Sequence, residues 1–234
     1  MTTNENLIKS ADRVKDHGEV FTPKWIVDKM IDQPEIAAKV RSLTATFLEP
    51  SAGEGAFLTE ILDRKIRYAA EKSKNAHEFG NYALMVLSTL YGIELLEDNV
   101  EMLVMNMKDT FSDVYRELMY DLFQTEPDQK VYDSAKVIIR ANMAQGDALK
   151  KTDALGRPII FSEWQPVGKT RVQRTEYTFE SIVNGGGPTG TVQEVVEEIS
   201  LDLFPDEAQE AVDETPARHF TQCKWTDIYK EEIE

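Results

Sequence analysis

Apolar positions recur along the chain with two different periods, and the switches between them predict its elements. In "FTPKWIVDKMI", Ile26, Val27, Met30 and Ile31 fall on one helical face, with Thr22 as the expected N-cap and Pro23 as the first helical residue. The polar "DQPE" with Pro34 interrupts, and a second short helix is expected through Ile36 to Val40. "TATFLEP" is rich in β-branched and aromatic residues and predicts a buried strand. Two glycines follow, after which Phe57, Leu58, Ile61, Leu62 and Ile66 return to helical spacing. Phe79 to Leu90 reads as a packed helix, "LYGIEL" as a second strand ending in Glu94, and "EDNVEMLVMNMKDTFSDVYRELM" as a helix. "YDSAKVIIRANMAQGDAL" predicts a helix end and then a third short strand running up to Gly146 and Asp147. "RPIIFSEWQP" and "TRVQRTEYTFESI" alternate like the two strands of a hairpin. Residues 1–17 read as a loose arm or short helix, and "NGGGPTG" as a flexible loop. No internal repeat is found.

The order is strand, glycine loop, helix, strand ending in an acid, helix, strand ending in Asp. That order predicts an α/β fold with a doubly wound sheet, preceded by N-terminal helices and followed by a hairpin and an acidic segment. Ligands of such sheets bind beyond the carboxyl ends of the strands. All three polar signals, at Glu49 to Gly55, Glu94 and Asp147, fall at such ends.

Composition narrows the classes. The chain has 234 residues, 41% hydrophobic and 29% charged, enough for one good core with an appendage. No apolar run approaches the roughly 20 residues that span a bilayer. The N-terminus is polar and mixed in charge, unlike a secretory signal. Cys223 is the only cysteine, so no internal disulfide forms, which fits a cytoplasmic location. The net charge of −16 repels phosphate and argues against tight, unaided binding to nucleic acid. The excess is uneven. Val192 to Thr215 holds nine carboxylates and no Lys or Arg, yet keeps Val195, Val196, Ile199, Leu201, Leu203 and Phe204, the pattern of a helix that docks. Before it lies a basic stretch whose Lys169, Arg171 and Arg174 are the expected contacts for any DNA.

The glycine loop poses the chemical question. Gly53 and Gly55 either make a tight strand-to-helix turn or let a nucleotide-type cofactor lie over the backbone at a helix N-terminus. Glu49, just before the loop, would repel a pyrophosphate and suits a ligand with positive charge, such as an ammonium or a sulfonium. Glu94 stands where a carboxylate grips ribose hydroxyls, or else it caps the next helix. Asp147 can accept from an adenine amino group, or else it is a turn residue. Three carboxylates, a ribose and an adenine describe S-adenosylmethionine better than they describe NAD.

"GEVFTP", "FLEPSAGEGAFL", "YGIELLEDNV" and "QGDAL", in that order, resemble the cofactor motifs of adenine-specific DNA methyltransferases, and most of all the modification subunits of bacterial restriction systems. The resemblance covers about residues 17 to 150. It implies an S-adenosylmethionine-dependent, Rossmann-like domain over residues 47–183, between N-terminal helices at 1–46 and an acidic C-terminal segment at 184–234. It also implies roles. Phe21, Thr22 and Pro23 would close over the methionine end. Glu49, Pro50, Ser51, Ala52, Gly53, Gly55 and Phe57 would hold the amino acid part. Glu94 and Leu95 would take the ribose, and Asp147, Ala148 and Leu149 the adenine.

The catalytic motif of that family is an Asp, Asn or Ser followed by Pro-Pro and an aromatic. Its oxygen acceptors activate the adenine amino group and its aromatic stacks on the flipped base. The chain has no Pro-Pro pair. "IIFSEWQP" stands in the expected place, with Ser162, Glu163 and Trp164 as the only candidates for a divergent site. The expectation is therefore a component of a bacterial DNA modification system that binds S-adenosylmethionine, lacks its own complete catalytic motif, and works with a protein partner or as a homo-oligomer. The alternative is a non-catalytic, methyltransferase-derived regulatory protein whose acidic segment mimics DNA. Methylation of a small molecule is a third reading.

Overall fold

Three short stretches with the strongest strand character pair side by side. They are Phe47–Glu49 (β1), Leu90–Glu94 (β2) and Met143–Gln145 (β3), all parallel, in the order β1-β2-β3. The computed structural model describes residues 22–184 and 220–233. The expectations for the N-terminal arm, for Phe21, for most of the glycine-rich loop and for the acidic stretch lie outside these residues.

Among the described residues two helices precede the sheet, Lys24–Ile31 (α1) and Pro34–Val40 (α2). Pro23, not Thr22, is the N-cap of α1, and no side chain caps it. The Pro23 carbonyl accepts from the N–H groups of Ile26 and Val27, so the proline sits one residue earlier than its missing N–H suggested. Pro34 does take the first position of α2. After β1 come Ala56–Lys72 (α3) and Ala76–Leu87 (α4), the latter capped by Asn75, whose side chain accepts from the Glu78 N–H. Glu97–Asp121 (α5) follows β2, and Gln129–Asn142 (α6) leads into β3. The hairpin Ile160–Val167 (β4) and Arg171–Thr178 (β5) is antiparallel, as its alternation predicts. A short helix, Phe179–Val183 (α7), follows. Cys223–Lys224 (β6) then adds to β5, and a 3₁₀ turn spans Trp225–Lys230.

The two faces of the parallel sheet are covered differently. Phe47, Leu90 and Gly92 face the helices and join the main core, in which Leu58 approaches Gly92. Tyr91, Ile93 and Ala144 point the other way, onto Ile159, Phe161 and Phe179. The Tyr91 hydroxyl donates to the Ser162 carbonyl at 2.9 Å. The second face is thus roofed by the hairpin rather than by helices. The arrangement is mixed α/β: among the described residues three parallel strands lie between a helical layer and an antiparallel one, where a doubly wound sheet has helices on both faces. The main core takes in Val27, Ile31 and Val40 from α1 and α2, and Trp225 and Ile228 near residue 230. Among the described residues no helix is long and apolar enough to cross a membrane.

Two polar residues hold this packing from inside. Asn142 donates to the carbonyls of Ser88 and Leu90, both at 3.2 Å, and accepts from the Trp164 indole N–H at 3.1 Å. It ties the end of α4, the start of β2 and the hairpin to α6. Lys65 of α3 is fully buried, with no ion pair among the described residues. Its ammonium donates to the Ser42 and Ala45 carbonyls at 2.8 and 2.9 Å and lies 5.4 Å from the centre of the Phe47 ring. Burial pulls its pKa down to about 8.

That depressed pKa predicts a pH dependence. Between about pH 8 and the usual lysine range the unfolded chain holds a proton that the folded chain has released, so stability rises with pH. Urea unfolding of wild type against Lys65→Met is expected to show a difference that is flat below pH 7. From pH 8 to 9.5 it should move in favour of the wild type, with a slope approaching about 1.4 kcal/mol per pH unit.

Candidate functional site

Beyond the carboxyl end of β1 the chain turns through Pro50 to Gly55 into α3. Gly53 and Gly55 both have left-handed backbone, φ +54° and +92°. A Cβ on Gly53 would meet nothing, whereas one on Gly55 would lie 2.6 Å from Leu103 Cδ1 on α5. Gly53 is therefore required by conformation, and Gly55 by conformation and by the close approach of a second helix.

The loop is fastened to β2. The Ala52 N–H donates to the Ile93 carbonyl at 2.9 Å. The Gly53 N–H donates to Glu94 Oε2 at 2.8 Å, and the other carboxylate oxygen of Glu94 accepts from the Leu96 N–H at 3.0 Å. Glu94 is buried. Its carboxylate thus joins the glycine loop to the start of α5. Oε1 also accepts from the Asn99 side-chain amide at 3.5 Å, so a diol reaching this group meets one oxygen with two donors and one with a single donor, and must use the lone pairs that remain.

A cleft of about 720 Å³ opens against the loop. Of the sequence candidates, Thr22, Glu49, Ser51, Ala52, Gly53 and Phe57 line it. Glu49 has no cationic partner among the described residues, and burial raises its pKa. Glu54, Asp109 and Asp113 line the same cleft, so among the described residues four carboxylates and no lysine or arginine line it, with Asp113 paired to Arg116 beside it at 2.6 Å. The α5 contribution, Asn106, Asp109, Thr110 and Asp113, was missed from the sequence. These residues recur at helical spacing on the polar side of α5, which reads as a solvated face. Only the Asn106 side-chain N–H bond to the Glu54 carbonyl, at 2.8 Å, turns that face toward the loop.

Glu94, Leu95, Asp147, Ala148 and Leu149 lie outside this cleft, at the neighbouring strand ends. The register pairs Glu49 with Gly92 and Glu94 with Gln145, so the three ends stand side by side. Asp147 is engaged by its own turn. One oxygen accepts from the Leu149 and Lys150 N–H groups at 2.9 and 3.1 Å, and the other meets the Lys150 ammonium at 3.2 Å. These bonds, the Lys150 backbone first, hold its pKa below the usual range. Ala148 packs on the second core cluster. Leu149 is 94% exposed and Leu95 is also exposed, two apolar side chains presented to solvent beside the strand ends. Pro50 makes the turn out of β1, and Pro23 caps α1.

Of the expected catalytic candidates, Ser162 and Trp164 are internal and Glu163 is exposed on the hairpin. Ser162 is buried, and its hydroxyl accepts from Arg174 Nε at 2.9 Å. Glu163 accepts from the Tyr177 hydroxyl at 2.8 Å. Trp164 is buried and bonded to Asn142. None of the three lines the cleft. Hairpin alternation placed Ser162 and Trp164 inward because they serve the core.

The expected DNA contacts are likewise mostly spent. The Arg174 side chain is only 10% exposed, ion-paired to Glu176 and Glu231, and stacked at 3.9 Å on Phe220. A nucleic-acid phosphate would have to displace these partners, leaving two carboxylates unpaired in a half-buried site. Arg171 donates to the Gln222 carbonyl at 2.6 Å. Lys169 sits exposed at the hairpin tip.

The loop geometry predicts unequal glycine substitutions. Gly53→Ala is expected to cost about 1 kcal/mol, the left-handed backbone alone. Gly55→Ala should cost about 2 kcal/mol or more, because strain and the Leu103 clash add. Denaturant unfolding of the two variants measures the difference.

No protein-family model, no curated protein and no solved structure matches the chain. The chemistry of the cleft and of the strand ends is therefore what bears on function.

Proposed function

We propose that the chain binds S-adenosylmethionine and supplies the cofactor half of an adenine-specific DNA methyltransferase. The observation that carries this reading is Glu49, a half-buried carboxylate without a cation among the described residues, in an acid-lined cleft against a glycine loop. With Asp113 paired to Arg116, Glu49 and Asp109 still leave the lining negative, which disfavours phosphate and favours a cation. S-adenosylmethionine carries two, an ammonium and a sulfonium. The strand order supports a Rossmann-like origin, because β1-β2-β3 read from its far end is the 3-2-1 half of a doubly wound sheet. Exposed Leu95 and Leu149 offer apolar cover for a purine at the adjacent strand ends. The burial and bonding of Ser162 and Trp164, with Glu163 outside the cleft and bonded to Tyr177, favour a chain without catalytic groups of its own.

Titration calorimetry with S-adenosylmethionine and with S-adenosylhomocysteine tests the binding. Glu49→Gln is expected to weaken both about tenfold or more, the loss of one charge-assisted bond, and Leu149→Ala and Asp147→Ala to weaken them less. No binding at millimolar ligand, or no effect of Glu49→Gln in a folded variant, refutes the reading. With labelled cofactor and unmethylated genomic DNA, the chain alone is expected to transfer no methyl groups, because cofactor affinity without transition-state contacts gives no rate. Transfer by the wild type that is lost in Ser162→Ala would restore the hairpin as an active site.

A further inference from the structure

β1 is an outer strand, and an outer position is unusual for the strand that feeds the glycine loop. In a doubly wound sheet of order 3-2-1-4-5-6 that strand is central, and the ligand crevice lies between it and the strand beyond. Among the described residues the order stops at β1. The Phe47 N–H donates to the Thr89 carbonyl. Backbone groups alternate in direction along a strand, so Phe47 and Glu49 bond to β2 while Leu48 turns its N–H and C=O outward. No described residue pairs with them. The Leu48 side chain is 41% exposed, on the same face where Tyr91 and Ile93 are covered by the hairpin. Parallel sheets are ordinarily buried on both faces, and bare strand edges invite pairing. An open edge, an uncovered leucine and a one-sided crevice thus meet at three consecutive residues.

We infer that the free edge of β1 is the docking site for a strand of a second, different polypeptide. That strand runs parallel to β1 and brings an oxygen acceptor and an aromatic side chain at its carboxyl end to the cleft. The role of those end residues rests on the cofactor reading; the strand addition does not. A second copy of the chain fits poorly. Two-fold pairing of β1 with itself is antiparallel, which sends the two glycine loops to opposite ends and leaves each crevice one-walled. It would also bring a second charge of −16 against Glu49 and its acidic neighbours. The partner strand is therefore apolar, with lysine or arginine flanking it.

The test places the photo-crosslinker p-benzoylphenylalanine at Leu48 of the full chain in its native cell, with Leu122 at the far end of α5 as the control site. The inference expects a cross-link from position 48 alone, to one segment of a different protein. That segment should hold five or more mostly apolar residues and then an Asp, Asn or Ser and an aromatic. With the partner purified, Leu48→Pro is expected to weaken the complex at least tenfold. It removes only the outward N–H, as edge strands permit, and leaves S-adenosylhomocysteine affinity unchanged. Leu48→Ala should weaken the complex less than threefold. Should the proline variant fail to fold, hydrogen exchange decides, with the wild-type Leu48 amide expected to be slowed at least a hundredfold by the partner. A cross-link to residues 1–21 or 185–219, a cross-link to a second copy, no protein cross-link, or an unslowed Leu48 amide overturns the inference. A Leu48-dependent complex that binds no S-adenosylhomocysteine keeps the docking strand and refutes the cofactor reading.

Discussion

The carboxylate of Glu94 is the tie on which the site depends. It sits at the last residue of β2 and bonds both ways, to the Gly53 N–H of the loop after β1 and to the Leu96 N–H at the start of α5. A loop with two left-handed glycines has little preference of its own for one conformation. A buried charged acceptor supplies that preference, because leaving it unpaired would cost more than bending the loop to meet it. With the loop fixed, Gly55 can meet Leu103 at close range, α3 packs along α5, and the cleft between them takes its shape.

The rest of the molecule follows from how a very small parallel sheet is kept dry. Three strands of three to five residues cannot bury both faces by themselves. The helices cover one face. On the other, the β4–β5 hairpin lays Phe161 against Tyr91, while Asn142 and the Tyr91 hydroxyl secure it by hydrogen bonds. That cover lies over β2 and β3 and leaves β1 open. The same hairpin absorbs its own polar groups. Arg174 is held between two carboxylates and two rings, which is why a basic stretch in the sequence offers so little positive charge to a ligand.

The acidity of the cleft and the openness of β1 have one physical reading between them. Glu49 stands at the end of the strand whose outer edge is free, with its charge unneutralised among the described residues. A cation in the cleft and a strand along the edge would each relieve one of these costs, and both would meet at the glycine loop.

Most of the helix and strand segments were legible in the sequence, though Phe179–Val183, read as the end of a strand, is a helix. The periodicity at Phe57 to Ile66 and at Leu90 to Glu94 is strong, and these elements form where it predicts them. The sequence also determined the loop, since two glycines after an acid have few other uses. What it could not determine is where each polar side chain spends its hydrogen bonds. Asp147 closes its own turn, Glu94 turns back onto the loop, and Ser162, Trp164 and Arg174 go into the packing. Lys65 is buried although its residue type predicts exposure, because two carbonyls of the segment entering β1 need a donor. Strand order and roofing were also decided only in three dimensions. Alternation tells a hairpin that it has an inner face, but not which sheet that face will cover, and so the bare edge of β1 was invisible until the hairpin had been placed.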